Sequence, residues 1–133
     1  CNHCPYVKEI IYDLVKETNE LREYGISSVA IMPNDVNTYP EDSFDNMVLF
    51  SKSNRLNIPY LYDEYQNVAK LYNAVCTPEF FGFDKNLLLK YRGRINNPKN
   101  KNDRELFSAM TSIANKKDIS FNNPSIGCSI KWK

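Results

Sequence analysis

The stretch that decides the fold is CNHCPYVKEIIYDLVKETNELREYG, residues 1–25. Val7, Ile10, Ile11, Leu14, Val15, Thr18 and Leu21 recur at the three- and four-residue spacing of one helix face, with Lys8, Glu9, Lys16, Glu17 and Glu20 opposite. Pro5 suits the first helical position, where no amide hydrogen is needed, and Gly25 suits the left-handed position just past the end. The reading is a helix with one buried face, and the cysteines of Cys1-Asn2-His3-Cys4 stand at its amino end.

That placement carries chemistry. Residues three apart at a helix start share a face, so the two sulfurs can approach bonding distance without moving the backbone. Free amides and the positive end of the helix dipole favour a thiolate there, lowering a cysteine pKa from ~8.5 into the range of ~3.5 to 7.5. His3, the only histidine, lies between the sulfurs and, when protonated, adds to that effect and favours a more oxidising couple. The expected reaction is disulfide exchange, with Cys1 attacking a partner's disulfide and Cys4 resolving the mixed disulfide. A structural zinc site needs four ligands, and the chain has no second close cysteine pair and one histidine. No metal and no cofactor are expected.

Working outward, residues 26–32 (ISSVAIM) read as a strand that closes at Pro33 and a polar loop. A helix is expected from about Ser43 to Asn54, burying Phe44, Met47 and Val48, with Asp42 or Ser43 as its cap. Residues 58–62 (IPYLY) are extended, and Asp63 with Gln66 reads as a capping box for a helix burying Val68, Leu71 and Tyr72. After Cys76-Thr77-Pro78, EFFGF (79–83) and LLLKY (87–91) form a hairpin around Asp84-Lys85-Asn86. A last helix starts at Asn102 or Asp103, with Leu106, Phe107, Met110 and Ile113 inward, and the tail from Asp118 has no clear period. The order is that of an α/β fold, a mixed central sheet flanked by helices. Residues 1–133 are expected to be a single domain, with a core over 1–117 and a tail over 118–133.

In α/β folds of this kind the first helix follows a strand, and chemistry gathers where that strand's end meets the helix. That position is Cys1 to Cys4, and the chain opens there rather than on Met, so it reads as truncated, lacking the N-terminal strand or strands before the motif. Hydrophobic residues at 42% and charged residues at 25% are ordinary for a soluble globular protein. The 17 basic and 16 acidic residues are spread along the chain, leaving a net charge of +1 and no footprint for nucleic acid or an anionic membrane. No apolar run approaches the ~20 residues that span a bilayer. Four cysteines are too few for a disulfide-stapled secreted module, and the cytoplasm is the expected location.

Five segments together resemble a known family: CNHCPYVK (1–8), VAIMPNDVNTYPEDS (29–43), PYLYDEYQNVAKLYNAVCTPEFFGFD (59–84), YRGRI (91–95) and PSIGCSIKWK (124–133). They are similar to the thioredoxin-like redoxins, grouped with the alkyl hydroperoxide reductase and thiol-specific antioxidant proteins. The resemblance implies a thioredoxin-like fold, Cys1 and Cys4 as the redox pair, and Thr77-Pro78 as a cis-proline loop facing them. It also implies that this loop pairs by backbone hydrogen bonds with an extended substrate peptide. The partner is then a protein disulfide or dithiol, with a thioredoxin- or glutathione-type reductant behind it. Cys76 and Cys128 read as small buried hydrophobes. The alternative for Cys128 is a tail folded over the site, anchored by Ile130 and Trp132, where its thiol traps a mixed disulfide or a sulfenic acid.

The family's usual buried acid and aromatic upstream of the cysteines lie outside this sequence. Peroxiredoxins place a threonine three residues before the peroxidatic cysteine, and before Cys4 that position is Cys1. Two other functions remain open from the residues: a thiol peroxidase, and a copper-binding protein using Cys1, Cys4 and His3 as soft and imidazole ligands.

Overall fold

The structure is a computed structural model that describes residues 1–119 and 122–133. Helix α1 (Pro5–Glu23) carries Pro at its first position and ends at Tyr24, after which Gly25 turns the chain at φ 76°. Strand β1 (Ala30–Met32), a 3₁₀ turn (Pro40–Asp42), helix α2 (Phe44–Ser53), strand β2 (Tyr60–Tyr62) and helix α3 (Asn67–Leu71) follow. Strands β3 (Cys76–Thr77), β4 (Phe80–Phe83) and β5 (Leu89–Gly93), helix α4 (Glu105–Ala114) and strand β6 (Cys128–Ser129) complete the order. Two residues of the expected tail, 120 and 121, lie outside the described residues.

Helices and both kinds of strand pairing are present, but the strands form three separate pairs. β1 runs parallel to β2, β3 antiparallel to β6, and β4 antiparallel to β5. The expected continuous mixed sheet is interrupted by a groove of about 1330 Å³ whose walls include Val7, Ile10, Leu14, Ile31, Phe81 and Met110. β1 has no described partner but β2, and β4 none but β5, because this apolar space separates the two pairs beneath α1.

Two clusters make the core, and α1 contributes to both. Leu21 packs with Tyr91, Ile95, Leu106, Ala109 and Met110 at one end. Val7 packs with Met32, Met47 and the sulfurs of Cys1 and Cys4 at the other. Each fully buried large side chain here is worth roughly 1.5–3 kcal/mol relative to exposure, so anchoring α1 at both ends fixes the axis that presents the cysteines.

Several expectations from periodicity are corrected. Glu17, placed on the polar face, is buried because Arg104 reaches it from the start of α4, with Nε donating to Oε1 at 2.8 Å and Nη2 to Oε2 at 2.6 Å. Arg104 also pairs with Glu20 and lies over the Phe107 ring. A partner so far along the chain is invisible to local pattern. In α2 only Met47 is fully buried, while Phe44 and Val48 lie toward solvent, because a helix of 10 residues seated on β2 covers one narrow stripe.

Around α3, Asp63 does cap the helix, accepting from the amides of Val68 (3.3 Å) and Ala69 (2.9 Å). Gln66 does not close the box. It sits at φ 60° with its side chain turned inward, so the short helix buries Ala69 and leaves Leu71 and Tyr72 exposed. In the hairpin, Asp84 Oδ1 accepts from Asn86 and Leu88, which lengthens the turn and delays the second strand to Leu89.

The Glu17–Arg104 contact ties the first helix to the last. Glu17→Ala is expected to lower unfolding free energy by about 1–2 kcal/mol, less than for a fully buried pair because Arg104 keeps Glu20 and partial solvent access. Urea denaturation followed by circular dichroism measures this; an unchanged midpoint would show that the contact contributes nothing.

Candidate active site

The amino end of α1, the loop before β4 and the tail converge on Thr77. Cys1 Sγ lies 3.2 Å from Thr77 Oγ1, and the Cys4 thiol donates to the Thr77 carbonyl oxygen at 3.3 Å. The Thr77–Pro78 peptide is cis. Cys4 occupies the position just before α1, at the end of the helix that carries free first-turn amides and the positive pole of the dipole. Pro5 fills the first helical position without an unsatisfied donor.

These surroundings act on the thiols unequally. Burial opposes ionisation of Cys4, but hydrogen bonds from the Cys128 thiol and from the amides of Val7, Cys128 and Tyr6 outweigh it and hold Cys4 below its ordinary value. Contact with Cys4, with burial, pushes the Cys128 thiol up. Cys76 is pushed up to about 11 by burial and by Glu79, and its thiol donates to the Pro78 carbonyl oxygen at 3.6 Å. Of Cys4, Cys76 and Cys128, these contacts favour the thiolate at Cys4 alone.

Cys76 and Cys128 are half-buried rather than buried in the core as expected. All four cysteines are free thiols in this structure. The tail does fold onto the site. Ile130 is buried, and Trp132 is 45% exposed. Backbone clamps hold the tail: the Lys131 amide donates to Asn34 Oδ1 at 2.9 Å, and Gln66 Nε2 donates to the carbonyl oxygens of Pro33 at 2.8 Å and Lys131 at 2.9 Å.

The group that sequence reasoning missed is Asp42. Its carboxylate is fully buried, and Oδ1 accepts from the amides of Asn2 at 2.7 Å and His3 at 3.3 Å. Oδ2 accepts from Asn34 Nδ2 at 2.9 Å and lies 2.7 Å from His3 Nδ1. Burial works against this charge, yet the hydrogen bonds from Asn34, His3 and Asn2 hold the Asp42 carboxyl below the ordinary carboxylate range. Tyr60 adds a hydrogen bond to Asn2 Oδ1 at 2.8 Å, and the His3 ring stacks on Tyr39. A buried acid therefore serves the motif from within the chain. The sequence offered Asp42 or Ser43 as the cap of α2, and Ser43 takes that role by accepting from the Asn46 amide.

Cys1 Sγ, a His3 nitrogen and an Asp42 oxygen lie within 4.8 Å of one another, a mixed donor set with one sulfur. Copper(I) prefers several sulfur ligands, and both Asp42 oxygens already accept amide hydrogens, so this set fits that ion poorly.

Two thiols at a helix start, facing a cis-proline loop in an α/β chain, define a thioredoxin-like redoxin. The chain belongs to the AhpC/TSA family, whose model matches residues 1–92, and which is a family of oxidoreductases. It is similar to the crystal structure of an uncharacterized conserved protein from Geobacillus kaustophilus, at 42% identity and a TM-score of 0.94, over 100% of this chain and 74% of that one. It is likewise similar to a hypothetical protein from Sinorhizobium meliloti 1021, at 36% identity and a TM-score of 0.94, over 99% of this chain and 75% of that one. No curated protein matches the chain. Among the described residues no helix is long and apolar enough to cross a membrane.

Asp42 ionises more readily in the folded chain than in the unfolded one. Its stabilisation is complete above the unfolded value of ~4 and disappears as pH falls through the lower folded value. Asp42→Asn is expected to cost about 2–3 kcal/mol at pH 7, with the gap to the parent closing below pH ~4. Urea midpoints across pH measure it, and a gap that stays constant with pH would refute the charged role.

Proposed function

We propose that the chain is a thiol–disulfide oxidoreductase whose Cys1 and Cys4 cycle between dithiol and disulfide. The single observation that carries this reading is that both sulfurs meet on Thr77, one at its hydroxyl and one at its carbonyl, at 3.2 and 3.3 Å. A loop that touches both members of a C-x-x-C pair can hold a reacting disulfide beside them.

In the reaction, the Cys1 thiolate attacks one sulfur of a partner disulfide, and the other partner sulfur leaves as a thiolate and takes up a proton. The Cys4 thiolate then attacks Cys1, forming the Cys1–Cys4 disulfide and releasing the second partner thiolate. The partner gains two electrons and the protein loses two. Cys1 keeps 8% of its surface open against 1% for Cys4, which suits Cys1 to the encounter and Cys4 to resolution. Contacts that stabilise the Cys4 thiolate favour the reduced pair and so make the couple more oxidising. A thioredoxin-type dithiol, or two glutathione-type monothiols, in the cytoplasm would return the two electrons.

His3 and Asp42 are assigned positioning roles. His3 Nδ1 lies against the buried carboxylate that also holds the amides of Asn2 and His3, fixing the loop between the cysteines.

Reduction of a protein disulfide, followed by thiol release, tests the assignment. Cys4→Ser is expected to accumulate a mixed disulfide on Cys1, and Cys1→Ser to fall to the rate of a free thiol. Undiminished turnover by Cys1→Ser would end the reading. A peroxidase reading draws on one observation, the lowered Cys4 thiol, since a thiolate is what a hydroperoxide oxidises to sulfenic acid. Saturable peroxide consumption by Cys1→Ser is expected under that reading, and a rate no higher than that of free thiol excludes it.

A further inference from the structure

Cys128 has the register of a reacting partner rather than of a core filler. In the antiparallel β3–β6 pair, Thr77 stands opposite Cys128, and Cys76 opposite Ser129. Residues directly opposite project from the same face of a sheet, while neighbours along a strand project from opposite faces. The Thr77 side chain faces Cys1, so the Cys128 side chain is delivered to the face where the redox pair lies. It packs against the cluster that contains Cys1 and Cys4.

The approach is built rather than incidental. Gly127 lies so flat against the cis peptide that a β-carbon there would come within 2.6 Å of the Thr77 carbonyl carbon and 3.0 Å of Pro78 N. Real β-carbons essentially never come as close as the first distance and seldom as close as the second, so a side chain at this position would lift the tail and carry Cys128 away. Beyond Cys128, the Ile130 amide donates to the Val75 carbonyl oxygen at 3.2 Å, and the Asp35 amide donates to that of Lys131 at 2.8 Å. Asn34 joins the two systems, bonding Asp42 through Nδ2 and the Lys131 amide through Oδ1. The buried acid that holds the cysteine loop and the segment that carries Cys128 are thus bolted to one side chain.

We propose that Cys128 is a third redox-active thiol, which takes Cys4 over from the Cys1–Cys4 disulfide and leaves Cys1 free. The proposal rests on the dithiol reading of Cys1 and Cys4. The Cys128 thiolate attacks the Cys4 sulfur, the Cys4–Cys128 bond forms as the Cys1–Cys4 bond breaks, and Cys1 departs as a thiolate. The proton given up by Cys128 is balanced by the one Cys1 takes. No external oxidant enters, because the two oxidising equivalents move within the chain. The product keeps the disulfide but presents a reduced Cys1, and it holds β6 covalently against the Thr77 edge. That edge is the one on which the family resemblance seats an extended substrate peptide; β6 already pairs with it in the dithiol form, and the transfer makes that pairing covalent.

Oxidised glutathione is the probe, applied to the full chain as a redox titration, with acid trapping, alkylation and mass mapping of the linked peptides. In Cys1→Ser, glutathione attached to Cys4 is expected to be displaced by Cys128, with loss of both the Cys4 and the Cys128 thiols and a Cys4–Cys128 peptide in the map. In the parent, that peptide is expected beside the Cys1–Cys4 one. In Cys128→Ala, Cys1–Cys4 is expected to be the disulfide formed. Glutathione retained on Cys4 of Cys1→Ser, with Cys128 still free, overturns the third thiol while a normal Cys1–Cys4 disulfide in Cys128→Ala leaves the dithiol reading standing. Failure of Cys128→Ala to form Cys1–Cys4 overturns the dithiol reading and this inference with it.

Discussion

Thr77 is the point on which the site hangs. Its hydroxyl meets Cys1, its carbonyl accepts from Cys4, and its strand edge pairs with Cys128. Each contact uses a different part of one residue, so displacing that residue would disturb three sulfurs together. The position is fixed from several directions. β3 is held by β6, the following Glu79 carboxylate takes Arg92 from β5, and the same carboxylate accepts from the Val75 amide. Loop residues that must be accurate need support of this kind, because a loop alone has the freedom that a redox pair cannot tolerate.

Asp42 solves the opposite problem, holding the short link between the cysteines. Two residues between a free thiol and a helix start have few backbone partners of their own, and unpaired buried amides are costly. One carboxylate oxygen satisfies two of them, and charge-assisted hydrogen bonds are about twice as strong as neutral ones. The cost of burying a charge is met by four contacts rather than by one ion pair, which is the condition under which a buried carboxylate stays ionised. Through Asn34 that support extends to the tail, so the cysteine loop and β6 are mechanically one unit.

How legible this was in the sequence depends on the range of each interaction. The long first helix, its start at Pro5 and its end before Gly25 follow from local spacing, and the structure has them. The β4–β5 hairpin was readable for the same reason, although Asp84 pushed its second strand two residues along. Asp42, Asn34 and Gln66 were not readable as site residues. Short polar side chains in turn-rich segments look like caps, and only partners 39 and 40 positions away in the chain reveal Asp42 as a motif ligand. Glu17 failed for the same cause, its partner Arg104 being 87 positions distant. Trp132 misled because aromatic character suggests an anchor, whereas the tail is held by its backbone.

The distribution of protons over the site then follows from geometry. Cys4 gathers donors, the amides at the start of α1 and the Cys128 thiol, and these outweigh its burial. Cys76, one residue before Thr77, meets burial and the Glu79 carboxylate, and its thiol gives its hydrogen bond to a carbonyl. Sulfurs gathered around one short strand are thereby set apart without a metal-like cation to polarise them. His3, between the cysteines, has Nδ1 turned to Asp42 and a ring nitrogen within 4.8 Å of the Cys1 sulfur. The groups that lower the Cys4 thiol are neutral amides and a thiol. Charge on Cys4 is therefore a property of the helix start and the docked tail, and whatever lifts the tail removes part of it.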